Sequence, residues 1–92
     1  MNEDTRKKVD VRLARIAGQV TGIRNMVSDE RYCVDILLQL SAAISALKRV
    51  EHIVLESHLD TCVVAALQSN DETEREQKIQ EVMEVIATFG KQ

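Results

Sequence analysis

Apolar residues recur along this chain at alternating steps of four and three. Val9, Leu13, Ile16, Val20, Ile23 and Val27 follow that rule, which gathers them into one stripe along a helix. Ile36, Leu40, Ala43, Leu47, Val50 and Val54 repeat it, and Ile79, Val82, Met83 and Ile86 give a shorter third face. Between the first two stripes Ser28-Asp29 supplies N-cap chemistry, so the second helix is predicted to run unbroken from about Glu30 to Leu67. Ser69-Asn70-Asp71 is the next turn signal, with Ser69 and Glu72 in capping-box register. Gly90 is the predicted stop of the third helix. Neither proline nor glycine falls between Asn25 and Phe89, and no repeat, linker or low-complexity tract divides the chain. Residues 1–92 therefore read as one all-α domain of three helices.

A helix of nearly 40 residues is roughly three times the usual length and presents more apolar surface than one short neighbour covers. With 92 residues and only Tyr32 and Phe89 as aromatics, a compact monomeric core is marginal. The economical solution is an antiparallel dimer in which helices 1 and 2 of both copies form a four-helix bundle. Composition fits: 45% apolar, 29% charged, no proline and three glycines is a helical bias. No apolar run approaches the ~18 residues of a membrane span. The start is polar and acidic with no visible signal peptide, so a cytoplasmic location is expected. In a reducing compartment Cys33 and Cys62 read as ligands or reactive thiols rather than a disulfide.

The net charge of −3 argues against nucleic acid, but its distribution argues the other way. From Thr5 to Val27, Arg6, Lys7, Lys8, Arg12, Arg15 and Arg24 stand against Asp10 alone, whereas from Glu51 to Glu84 nine acidic residues stand against Arg75 and Lys78. Lys8, Arg12 and Arg15 share a helical face beside the apolar stripe, a surface that suits phosphates as well as water. No aromatic is interleaved with it and no helix-turn-helix or zinc-finger spacing is present.

Cys33, His58 and Cys62 carry the chemistry. His58 and Cys62 are four apart and share a helical face. Cys33 precedes His58 by 25 residues, roughly 37 Å along one helix at about 1.5 Å per residue. One copy cannot join the three, but an antiparallel pair can, with a twofold axis near Ala46 and Leu47. Thiolates with imidazole favour Cu(I), zinc or iron–sulfur chemistry. Structural zinc wants four protein ligands, so three point to Cu(I). His52 lies six residues before His58, about 240° away around the helix, and is expected outside the cluster.

The run Arg12-Leu-Ala-Arg-Ile-Ala-Gly-Gln-Val-Thr-Gly-Ile-Arg-Asn-Met-Val27, continued by Asp29-Glu-Arg-Tyr-Cys-Val-Asp-Ile-Leu-Leu-Gln-Leu-Ser-Ala42, resembles the copper-sensitive operon repressor (CsoR) family. Leu55-Glu-Ser-His-Leu-Asp-Thr-Cys62 is similar to that family's second ligand block. The resemblance covers about residues 9 to 88. It implies an all-helical repressor that assembles as a dimer of antiparallel dimers, binds operator double-stranded DNA and is released by Cu(I). It places Cu(I) on Cys33 of one chain and on His58 and Cys62 of its partner. It also implies supporting roles beside the site for Tyr32 and a helix-3 glutamate, Glu81, with Glu84 as the alternative. Arg12 and Arg49 match positions of DNA contact, with Lys8, Arg15 and Lys48 as weaker neighbours. The nickel and cobalt branches carry an N-terminal histidine and a histidine in place of Cys62; the formaldehyde branch lacks the second cysteine. The persulfide branch replaces the histidine, and a thiol sensor using Cys33 and Cys62 is the alternative within the fold. No nucleophile–base–acid grouping or phosphate-binding loop suggests an enzyme.

Overall fold

The computed structural model describes residues 1–89 as three helices, α1 (Glu3–Ser28), α2 (Cys33–Gln68) and α3 (Glu72–Phe89), with no strand among them. The expected stop at Gly90 lies outside the described residues. Asn2 opens α1 by accepting the Thr5 N–H at 2.8 Å, and Glu3 and Asp4 place negative charge in the first turn, where the helix dipole favours it.

Ser28 and Asp29 do not start the second helix, as their cap chemistry led us to expect; they close the first. Ser28 is the last residue of α1 and Asp29 its C-cap. Glu30 then adopts a left-handed backbone, φ 53°. The Glu30 N–H donates to the Val27 carbonyl at 3.1 Å and the Arg31 N–H to the Met26 carbonyl at 3.0 Å. That pair of bonds is the Schellman closure. It moves the α2 start to Cys33, after a Tyr32 that makes no side-chain cap bond. A glutamate in this conformation costs about 1 kcal/mol that glycine avoids. Glu30→Gly is therefore expected to raise folding stability by about 0.5–1 kcal/mol in urea unfolding.

The second turn also shifts by two residues. Ser69 is the C-cap of α2, while Asp71 accepts the Thr73 N–H at 2.9 Å and so takes the capping role assigned to Ser69.

Both outer helices pack antiparallel against α2, and α1 and α3 do not pack on each other. Val9, Ile16, Val50 and Ile53 form the buried cluster, with Ala46 against it. Only every second member of the α1 stripe is covered: Val9, Ile16 and Ile23 are buried, whereas Leu13, Val20 and Val27 are exposed. On α2, Ala43 and Val50 are buried, but Leu40, Leu47 and Val54 stay exposed. On α3, Val82 and Val85 are half-buried and Ile79, Met83 and Ile86 are exposed. The molecule measures 60 × 26 × 13 Å with a radius of gyration of 18.4 Å, against roughly 12 Å for a compact domain of this length. It is one helix thick, so most of its apolar seam faces outward.

Candidate metal centre

The α2–α3 turn decides which residues meet. His58 lies ten residues before the end of α2 and Glu81 nine after the start of α3. Two antiparallel helices leaving a short turn bring such positions to the same height. His58 Nε2 approaches Cys62 Sγ at 3.3 Å, one turn along the same helix, and Glu81 Oε1 at 3.4 Å across the α2–α3 groove. One donor atom from each of His58, Cys62 and Glu81 lies within 4.8 Å of the others. The Cys62 side is closed, at 6% exposure, while the His58 and Glu81 side chains remain 44% and 47% exposed.

A thiol, an imidazole and a carboxylate in reach of one another suit a metal ion, with Cys62 giving the thiolate and a proton leaving on binding. Nε2 makes both approaches, so His58 has two options. It can present Nδ1 to a metal and keep Nε2 on Glu81, or present Nε2 and share the metal with Glu81. The second ring nitrogen is not what links the cluster to α3 in this arrangement.

Cys33 is exposed at the first residue of α2, roughly 37 Å along the helix from His58, and does not join the cluster of its own chain. Tyr32 beside it is 68% exposed. The Glu84 carboxylate accepts from Gln80 at 3.5 Å rather than facing His58. His52 pairs with Glu56 at 2.9 Å and stays out of the cluster. Val54, Leu55, Val85 and Phe89 form an apolar wall beside His58. Sequence reasoning missed Val85 and Phe89, although they follow Glu81 at steps of four and so share its face.

The basic candidates sit on α1 and the middle of α2. Lys8 and Arg49 line one concavity of about 250 Å³, together with Glu56 and Asp60. Arg12 is half-buried and Arg15 exposed. The sequence bias towards a basic first helix thus becomes a polar end of the α1–α2 layer.

Known proteins resemble this arrangement over nearly its whole length. The copper-sensing transcriptional repressor CsoR of Bacillus subtilis (strain 168) is 50% identical over 80 residues, 87% of this chain and 76% of that one. A crystal structure of the copper-sensing repressor CsoR with Cu(I) from Geobacillus thermodenitrificans NG80-2 superposes with a TM-score of 0.79 at 42% identity, covering 99% of this chain and 92% of the other. The nickel-responsive transcriptional regulator InrS gives a TM-score of 0.77 at 34% identity, covering 90% of each chain. Residues 5–88 match the family of metal-sensitive transcriptional repressors. The chain belongs to that family, the one that includes the copper-sensing CsoR repressors.

Proposed function

We propose that the protein is a copper-sensing repressor that binds operator DNA without metal and leaves it when Cu(I) is held by Cys33 of one chain and by His58 and Cys62 of its partner. The observation that carries this reading is a seam on α2. Cys33, Leu37, Leu40, Ile44, Leu47, Glu51, Val54 and His58 step by four and three along one stripe. Leu37, Leu40, Ile44, Leu47 and Val54 are all exposed in the single chain. An antiparallel second copy laid on this stripe about Leu47 covers those residues and sets each Cys33 against the other chain's His58. The groove between Val20, Ile23 and Val27 of α1 and Leu40, Ala43, Ile44 and Leu47 of α2 adds a cavity of about 480 Å³ for the same partner. Burying such a surface follows the ordinary logic of a four-helix bundle. Two such dimers then form the tetramer, acting in the cytoplasm; among the described residues no helix is long and apolar enough to cross a membrane.

Soft thiolates and an imidazole match Cu(I) better than hard cations. The fit rests on Cys62, buried beside His58, and on an exposed Cys33 free to meet another chain. His58 with Nδ1 on the metal keeps Nε2 on Glu81, which ties occupancy to α3. Tyr32, next to Cys33, would close the site from the other chain. Operator titration with and without Cu(I) tests the reading. Cu(I) is expected to weaken operator binding by 1–3 kcal/mol of coupling, roughly 5–150-fold, and operator DNA to weaken Cu(I) binding equally. His58→Ala should abolish the response. If copper leaves operator affinity unchanged while a persulfide donor lowers it, the thiol-sensing alternative through Cys33 and Cys62 replaces this reading.

Operator contact is assigned to Arg12 and Arg49, with Lys8 and Arg15 beside them. Arg12→Ala and Arg49→Ala are each expected to weaken operator binding, lowering the log–log salt slope by about one unit and leaving Cu(I) affinity intact. Unchanged operator affinity in both would move the DNA surface elsewhere.

A further inference from the structure

We infer that Glu56 and Asp60 end the phosphate track on the DNA face: they hold off backbone phosphates that lie out of register, and so weaken binding to DNA in general more than binding to operator. The inference rests on the operator-contact reading of Arg12 and Arg49 above. Arg49, Glu56 and Asp60 are spaced by seven and four, which puts all three on one face of α2. Lys8 meets that face from α1, and the four line one concavity of about 250 Å³ together with Asn2 and Thr5 from the start of α1. The row Arg15, Arg12, Lys8 runs towards that end of α1, and Arg49, Glu56, Asp60 runs beside it in the same direction. The cationic row therefore stops in carboxylates.

Those carboxylates are not spent on the neighbouring cations. Among the described residues no salt bridge joins Lys8 or Arg49 to Glu56 or Asp60. Glu56 gives one oxygen to His52 Nε2 at 2.9 Å and stays 65% exposed, and Asp60 is exposed. Glu3, by contrast, engages Arg6 at 2.8 Å and Lys7 at 4.0 Å within α1. Glu56 lies seven residues from Arg49, roughly 10 Å along the helix and about one Debye length at physiological salt. A phosphate seated on Arg12 and Arg49 feels the pair weakly, whereas one displaced past Lys8 meets it directly. Non-specific binding consists almost wholly of phosphate contacts sampled in many registers, while operator binding keeps one. A penalty on displaced phosphates thus falls mainly on the wrong DNA, which is specificity by exclusion.

Fluorescence anisotropy of the metal-free, full-length protein tests this with two duplexes: an operator that the protein selects from random-sequence DNA, and the same duplex with its sequence scrambled. The double variant Glu56→Gln/Asp60→Asn should bind the scrambled duplex about tenfold more tightly than wild type and the operator less than about threefold more tightly. A gain of affinity cannot come from misfolding. The gain should be largest at low salt and fade as the Debye length shrinks. Glu72→Gln/Glu76→Gln makes the same change of net charge at the start of α3 and should leave both affinities within about twofold. The inference is overturned if the Glu56/Asp60 variant tightens both duplexes by the same factor or neither, or if the α3 variant matches it. Arg49→Ala separates the two failures. If it weakens operator binding while the Glu56/Asp60 variant changes nothing, only the exclusion role is lost. If neither changes DNA binding, the operator-contact reading falls and takes this inference with it.

Discussion

Cys33→Ala and Cys62→Ala should each weaken Cu(I) binding by about a thousandfold or more, ~4 kcal/mol, and a mixture of the two should recover part of it. Each substitution removes one of two thiolates from a three-ligand site, and a soft monovalent ion has no comparable replacement nearby. The recovery follows from symmetry. In the proposed twofold dimer each site takes Cys33 from one chain and His58 with Cys62 from the other. A heterodimer of the two variants concentrates both losses in one site and leaves the other whole. If chains exchange freely, half the dimers are mixed, giving about one tight site for every four chains. Titration against a competing Cu(I) chelator, before and after a denaturation–renaturation cycle, reads this directly. Absence of any tight site after exchange would mean that Cys33 and Cys62 serve the same chain, which the length of α2 disallows, or that Cys33 is no ligand.

Much of the molecule was legible in the sequence, and its failures have physical causes. The four-and-three stripes placed three helices because periodicity reports which residues share a face, and the absence of glycine and proline between residues 25 and 89 left α2 uninterrupted. The turns were misread because serine and aspartate can cap either end of a gap. What decides is the left-handed backbone of Glu30, and glutamate carries no signal for that conformation. Asp71 took the cap from Ser69 for a similar reason: both side chains are competent, and the geometry of a three-residue turn chose between them. At the metal centre, the spacing of His58 and Cys62 was readable as one helical turn. Only resemblance suggested a carboxylate on helix 3, with Glu81 favoured and Glu84 as the alternative. The length of the α2–α3 turn sets the height at which α3 crosses His58, and that length brings Glu81 to Nε2 at 3.4 Å. Periodicity could not say which half of each stripe a single chain would cover, since in the proposed dimer the stripes on α1 and α2 each serve two neighbours.

That divided service makes Leu47→Glu the substitution expected to do most harm to the assembly. Leu47 sits at the middle of the exposed α2 seam, 46% exposed in the single chain, and near the proposed twofold axis that would pair Cys33 with His58. In the dimer each copy would lose a buried leucine, about 1.5–3 kcal/mol per chain. Each would also place a carboxylate opposite its own image with no cation facing it. The combined cost, roughly 3–6 kcal/mol before any repulsion, weakens dimerisation by about two to four orders of magnitude. A chain one helix thick has little core of its own, so helix content should fall with the dimer in sedimentation and circular dichroism measured over the same concentrations. Lys48→Glu, one residue along and already charged, should leave the dimer intact. The informative readout is copper. Leu47 is 11 residues from His58, roughly 16 Å along α2, too far to touch a ligand. Tight Cu(I) binding should nevertheless disappear with the dimer, because Cys33 reaches the site only on a second chain. A Leu47→Glu monomer that stays folded and still binds Cu(I) tightly would place every copper ligand within one chain.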